Sequence, residues 1–170
     1  HLISVRHGNA GALGNLREQL EASPELFGKG VDYVLHAILH RVIDQYFPIF
    51  EMIEDDVLAM ERRSLDDFLG REEVARIFGL RYELTRFQRT LGAMAELVRK
   101  LHRGHFPCIS AEVRPFFNDV ADHVDRVQSM VDGLLQVLTT VFEFSSLLEA
   151  QRIGVVTRQL TAGAAILAVP

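Results

Sequence analysis

From Phe117 onward an apolar residue returns at three- and four-residue steps: Phe117, Val120, Val124, Val127, Val131, Leu134, Leu138 and Val141. Repeated over three heptads, this spacing predicts a helix whose seam faces other helices rather than solvent. An unbroken helix from Phe116 to Val169 would be roughly 80 Å long at ~1.5 Å per residue. A compact domain formed by a chain of 170 residues cannot bury such a rod along its whole length. The last third of the chain is therefore expected to be a stalk or a coiled-coil arm.

The end of that helix changes character. After Arg158 the remaining 12 residues, Gln159 to Pro170, carry no charge. Crossing a bilayer takes about 20 such residues, so the run is too short to span, yet it ends without a polar stop. The expectation is a chain cut before or within a transmembrane segment, the alternative being a buried core helix. A stripe of small residues runs along the same end: Ala150, Gly154, Thr157, Thr161, Ala164 and Ala168. Small residues at helical spacing let membrane helices approach closely or leave room along an axis, and they also occur in ordinary packing.

Composition sets limits on function. A hydrophobic share of 48% supplies a core, and a net charge of −5 with 24% charged residues gives no basic footprint for nucleic acid. Cations are the expected electrostatic partners. The single cysteine, Cys108, excludes an internal disulfide framework and is expected to be a buried, inert thiol in a reducing compartment. The chain starts at His1, without methionine or a secretory pattern, so both ends are expected to be cuts in a longer polypeptide.

Along the chain, Leu2 to Arg6 is β-prone and precedes the turn-forming His7-Gly8-Asn9. Leu13, Leu16 and Leu20 mark a short helix ended by Ser23-Pro24, Gly28 and Gly30. Asp32 is expected to cap a longer helix reaching about Arg63, with the stripe Leu35, Leu39, Val42, Tyr46, Ile49, Ile53, Val57 and Met60 and a kink at Pro48. A third helix, about Arg71 to His102, carries Ile77, Leu80, Leu84, Phe87, Leu91, Met94, Val98 and Leu101. The short link from Ser64 to Gly70 makes these two helices an antiparallel hairpin. Ser110 can cap a short turn, and Pro115 suits the first position of the stalk helix.

No glycine-rich phosphate loop, nucleophile elbow or helical metalloprotease motif is present, so the sequence supplies no basis for an enzyme. His36, His40 and Asp44 recur at four-residue steps, which puts them on one helix face with spacing usable for a metal such as zinc. Their apolar neighbours also allow them simply to border the core. His102 and His105 lie in a link without a nearby carboxylate. Glu51, Glu54, Asp55, Asp56 and Glu61 place five acids and no base in eleven residues, read as a solvated face whose field concentrates cations. Ala111 to Arg158 holds seven acids against four bases. If several copies packed side by side, their carboxylates would repel below the Debye length of about 8 Å unless divalent cations bridged them.

Four segments resemble the CorA family of divalent-cation channels: Tyr33-Val-Leu-His-Ala-Ile-Leu, Val42-Ile-Asp-Gln-Tyr-Phe-Pro, Phe116-Phe-Asn-Asp-Val-Ala-Asp-His, and Arg158-Gln-Leu-Thr-Ala-Gly-Ala-Ala-Ile-Leu-Ala-Val-Pro. Their order and spacing carry the resemblance across nearly the whole chain, and the family's Gly-Met-Asn signature would fall shortly after Pro170. The resemblance implies a mainly α fold: the C-terminal part of an α/β/α cytoplasmic domain (residues 1–31), an antiparallel helix pair (32–110), a stalk helix (111–158) and the start of a first transmembrane helix (159–170). It implies a homopentameric Mg²⁺ channel, Co²⁺ being a second candidate ion, in the inner (plasma) membrane, with this region mostly on the cytoplasmic side.

In the family, the carboxylate matching Asp119 helps bind a regulatory divalent ion between protomers, with a partner carboxylate from an earlier part of the domain. Glu143 aligns with a pore-facing acid. Gly154 and Thr157 fall where members carry pore-facing Asn or bulky Met, and Leu160 falls at a hydrophobic gate that closes by dewetting. Two alternatives stand beside this reading: a zinc transporter of the ZntB type, and a soluble helical oligomerisation module without a transport role.

Overall fold

The computed structural model describes residues 1–5, 15–66 and 69–167. Among them the regular structure is entirely helical: α1 (Leu16–Glu21), α2 (Pro24–Phe27), α3 (Val31–Asp44), α4 (Tyr46–Asp66), α5 (Arg71–Arg103) and α6 (Phe116–Leu167). The mainly α expectation is met. The β-prone start is corrected: residues 1–5 are irregular, with Ile3 87% exposed. A strand needs a paired neighbour, and none exists among the described residues. Arg6, Leu13 and the His7-Gly8-Asn9 turn lie outside them.

Where one kinked helix is expected from Asp32, two form. Pro48 has no N–H to offer the Asp44 carbonyl and its ring crowds that turn. The chain therefore stops α3 at Asp44 and restarts at Tyr46, which makes Pro48 the third residue of α4, a place where an N–H has no helical partner anyway. The cap also shifts. Gly30 occupies the N-cap of α3 with φ of 111°, where a Cβ would strain the backbone and meet Asp32 Oδ1 at 3.0 Å. Asp32 falls in the first turn instead and reaches outward: its Oδ2 accepts the Ser110 N–H at 2.8 Å. Ser110 itself caps the following turn by accepting the Val113 N–H at 3.3 Å. Pro115 precedes α6 by one place rather than opening it.

The chain forms two compact units, residues 1–53 with 85–132, and 54–84 with 133–170. In the first, Tyr33, Ile43, Phe50, Leu91, Ala95 and Val98 are buried together with the α6 seam residues Phe117, Val120, Val124, Val127 and Val131. Phe50 and Tyr46 both set their rings against Phe87, at 5.3 and 4.8 Å between centroids. In the second, Val57, Met60, Ile77, Leu84, Leu134, Leu138 and Val141 are buried. All eight seam positions named on α6 are thus withdrawn from water. The α5 stripe holds at Ile77, Leu84, Leu91 and Val98. The stripe before it holds at Val57 and Met60 but not at Ile49, which is 44% exposed while Phe50 is 3% exposed. Restarting the helix at Tyr46 turns the larger aromatic ring inward.

In the second unit α4 and α5 run antiparallel, as the link length requires. Arg63 pairs with Glu73 at 3.0 Å and Arg76 with Asp56 at 2.8 Å, contacts that step in opposite directions along the two helices. Phe78 meets Phe142 edge-on at 5.0 Å, seating α6 against α5 in this unit. Cys108 is corrected from buried to exposed: it sits in the irregular segment between α5 and α6, where Ile109 and Val113 take the interior positions.

Candidate functional site

The residues aligned with the regulatory ion site and the pore, Asp119, Glu143, Gly154, Thr157 and Leu160, all lie on α6. Asp119 stands in its first turn, exposed, on the opposite side from the buried Phe117 and Val120. An acid there is favoured by the unpaired N–H groups of the helix start. Asp122 follows one turn later and accepts a hydrogen bond from the Asn118 amide at 3.2 Å. Asp125 and Asp132 are held by α5: Arg99 pairs with Asp125, and Gln88 donates to Asp132 at 2.6 Å. Of the α6 acids, those toward α5 are engaged and Asp119 faces solvent.

Glu143, Gly154 and Thr157 are also exposed. The Thr157 hydroxyl donates back to the Ile153 carbonyl at 2.8 Å, which leaves its oxygen lone pairs free to accept. Nothing lies within 4 Å of the place a Gly154 Cβ would occupy. Thr157 and Glu149 border a cavity of about 560 Å³ with Val74, Phe142 and Ile153, all within the second unit. The side chain of Leu160 lies outside the described set, as do those of Ala164 and Ala168. From Ala150 to Arg158 every residue is exposed, including Ile153 at 61%, Val155 at 55% and Val156 at 46%. Among the described residues α6 is the helix long and apolar enough to cross a membrane by length and composition, a test that buried core helices also pass; the stretch concerned lies within Phe116–Arg158.

The histidine face on α3 divides. His36 is 7% exposed, and its ring lies 5.3 Å from Tyr33, 5.4 Å from Phe116 and 6.0 Å from Phe117. Neither ring nitrogen has a hydrogen-bond partner. Burial, reinforced by His40 and opposed by the charge of Asp119, brings its pKa down to about 4. His40 and Asp44 point to a different companion. Asp44 Oδ2 lies 3.0 Å from His40 Nδ1, and Asp44 Oδ1 lies 2.9 Å from Nδ1 of His123 on α6. The two imidazoles approach to 4.7 Å between centroids. His123 is the residue that spacing on one helix could not supply. Its signal was the seven-residue step that puts Phe116 and His123 on one side of α6, against His36 and His40 of α3.

The acidic run on α4 behaves as a solvated face: Glu51, Glu54, Asp55 and Asp56 are exposed. His102 Nδ1 lies 3.2 Å from the Arg114 carbonyl in the link before α6.

Comparison with known proteins agrees with this helical arrangement. The chain is 31% identical over 116 residues to the cobalt/magnesium transport protein CorA of Thermotoga maritima, covering 64% of the chain and 33% of that protein. It is 26% identical over 171 residues to the protein of the same description from Methanocaldococcus jannaschii, covering 99% of the chain and 54% of the relative. The complete structure of the CorA magnesium transporter from M. jannaschii superposes with a TM-score of 0.85 at 26% identity, over 96% of this chain and 52% of that one. The soluble domain from the same organism superposes with a TM-score of 0.70 over 81% of this chain. The chain thus spans between a third and about half the length of these two curated relatives. The profile of the CorA-like Mg²⁺ transporter proteins matches residues 1–170 from end to end, and the chain belongs to that family.

Proposed function

We propose that this chain is the sensing and stalk region of a divalent-cation channel that carries Mg²⁺, and Co²⁺ as a second ion, across the plasma membrane as a homopentamer. The observation that carries the reading is the continuity of α6: one helix runs from the exposed carboxylate of Asp119 to an end where Ile153, Val155 and Val156 are all exposed. Three bulky apolar side chains exposed within about one turn suit a surface covered by lipid or by other copies. The relatives named for magnesium and cobalt transport support the choice of ion. They lend nothing to the ZntB-type zinc transporter or to the soluble module. No catalytic step belongs to this function.

On this reading residues 1–31 close the cytoplasmic domain, 32–110 form the helix pair, 111–158 the stalk and 159–170 the start of the first membrane span. Asp119 suits a regulatory Mg²⁺, because a solvent-facing carboxylate can hold an ion that keeps most of its water. A second carboxylate comes from a neighbouring protomer. Glu143, Gly154, Thr157 and Leu160 face the pore axis, Glu143 as an acid ring and Leu160 as the dewetting gate. With Mg²⁺ abundant, ions bridge acidic protomer faces and hold the bundle closed. When Mg²⁺ falls, carboxylate repulsion loosens it, a population shift driven by differential ion affinity.

The complete polypeptide, reconstituted in liposomes loaded with an Mg²⁺ indicator, is expected to admit Mg²⁺ down its gradient. Liposomes that stay impermeable to Mg²⁺ and Co²⁺ at low internal Mg²⁺ would refute the transport reading.

A further inference from the structure

His40, Asp44 and His123 bring two imidazoles and a carboxylate from α3 and α6 to one place in the first unit, with one donor atom from each lying within 4.8 Å of the others. Three donors around a tetrahedral ion with bonds of about 2.0–2.1 Å stand roughly 3.3 Å apart. Asp44 meets His123 at 2.9 Å through Oδ1 and His40 at 3.0 Å through Oδ2, so the three side chains must turn until one donor atom from each faces the same ion. Each of the three side chains is 35% exposed, which leaves a way in for an ion and keeps most of the site dry.

A second, independent observation points to a ligand here. His36 lies one helical turn before His40, with ring centroids 5.6 Å apart, and both its nitrogens are buried without a partner. An unsatisfied buried imidazole is costly and calls for an ion or water that the protein atoms do not supply. His36, His40 and Asp44 line one cavity of about 390 Å³ with Leu20 and Tyr33, which opens the α3 side of the cluster; His123 approaches from outside that cavity. His36 and water are the two candidates for the fourth position.

We propose that His40, Asp44 and His123 form an intrachain site for a divalent transition-metal ion of the zinc type, fastening α3 to α6. Two nitrogens and one carboxylate oxygen suit Zn²⁺, Co²⁺ or Ni²⁺, whereas Mg²⁺ demands oxygen ligands and gives up water reluctantly. The site is therefore chemically distinct from the carboxylate faces assigned to Mg²⁺, and it stands or falls separately from the transport reading.

The test is Zn²⁺ titration of the 170-residue chain in competition with a chromophoric chelator, in millimolar Mg²⁺, with Co²⁺ absorption as a second readout. The expected result is one Zn²⁺ per chain that Mg²⁺ does not displace, and a Co²⁺ spectrum of tetrahedral type. His40→Ala and His123→Ala each weaken binding by at least about tenfold, and His105→Ala, in the exposed link, changes nothing. Unfolding without metal checks the fold, and His40→Gln and His123→Gln serve if an alanine variant does not fold. Binding that survives loss of His40 and His123, that Mg²⁺ displaces, or that requires two chains would overturn the proposal, as would failure to bind Zn²⁺.

Discussion

Asp32 shows how one carboxylate can organise a junction. It is 9% exposed, and its oxygens take the N–H of Tyr33 at 3.1 Å and that of Ser110, 78 residues away, at 2.8 Å. Burial pushes its pKa up, but bonds from the Ser110 N–H and hydroxyl, its own N–H and that of Tyr33 outweigh this, and the net shift is downward. Asp32→Ala is expected to cost about 2 kcal/mol in urea unfolding, since bonds to a charged acceptor are lost and the Ser110 N–H is left unpaired. The sign with pH follows from the direction of the shift. The folded state favours the ionised form, so this contribution is fully present above the ordinary value of 3.8 and disappears as pH falls through the folded-state pKa. In acid titrations of stability, Asp32→Asn should flatten that limb of the profile. An unchanged limb would assign acid sensitivity to other groups. Asp32 was legible in the sequence as a helix-start residue and Ser110 as a cap, but their bond was not, because a contact 78 residues away leaves no local pattern.

At the scale of elements, hydrophobic period was the reliable signal and local chemistry the misleading one. The seam from Phe117 to Val141 and the positions Ile77, Leu84, Leu91 and Val98 are buried as their spacing requires, because a helix with one apolar face has one way to leave water. The stripe through Ile49 held at Val57 and Met60 and failed at Ile49 itself, next to Pro48, because it assumed an unbroken helix there. The helix restarts at Tyr46, and Phe50 takes the interior place instead of Ile49. His123 was hidden for the related reason that its companions lie on another helix. Leu138, fully buried in the second unit, is expected to lose about 3 kcal/mol on change to Ala. Leu147 is 56% exposed, and its change to Ala should move stability by less than about 0.5 kcal/mol. Denaturant midpoints of the two variants decide this, and equal losses would mean that the seam is not the core.

For the molecule as a whole, the resemblance in four segments anticipated the family, and the whole-length match bears it out. The expected strand did not form in the described residues, because a short β-prone run without a sheet has nothing to pair with. The sensing role of Asp119 and the pore positions Glu143, Gly154, Thr157 and Leu160 were read from alignment to the family. On the proposed function the second carboxylate beside Asp119 comes from a neighbouring protomer. The central claim is that the exposed acid at the start of α6 governs conduction at its other end. The direct measurement is Mg²⁺ flux through the complete polypeptide in liposomes as internal Mg²⁺ is raised, with Asp119→Lys beside the parent. The parent is expected to close and the variant to keep conducting, with its half-closing concentration raised by about tenfold or more, a loss of ~1.4 kcal/mol of ion coupling. Closure of both at the same internal Mg²⁺ would contradict the account.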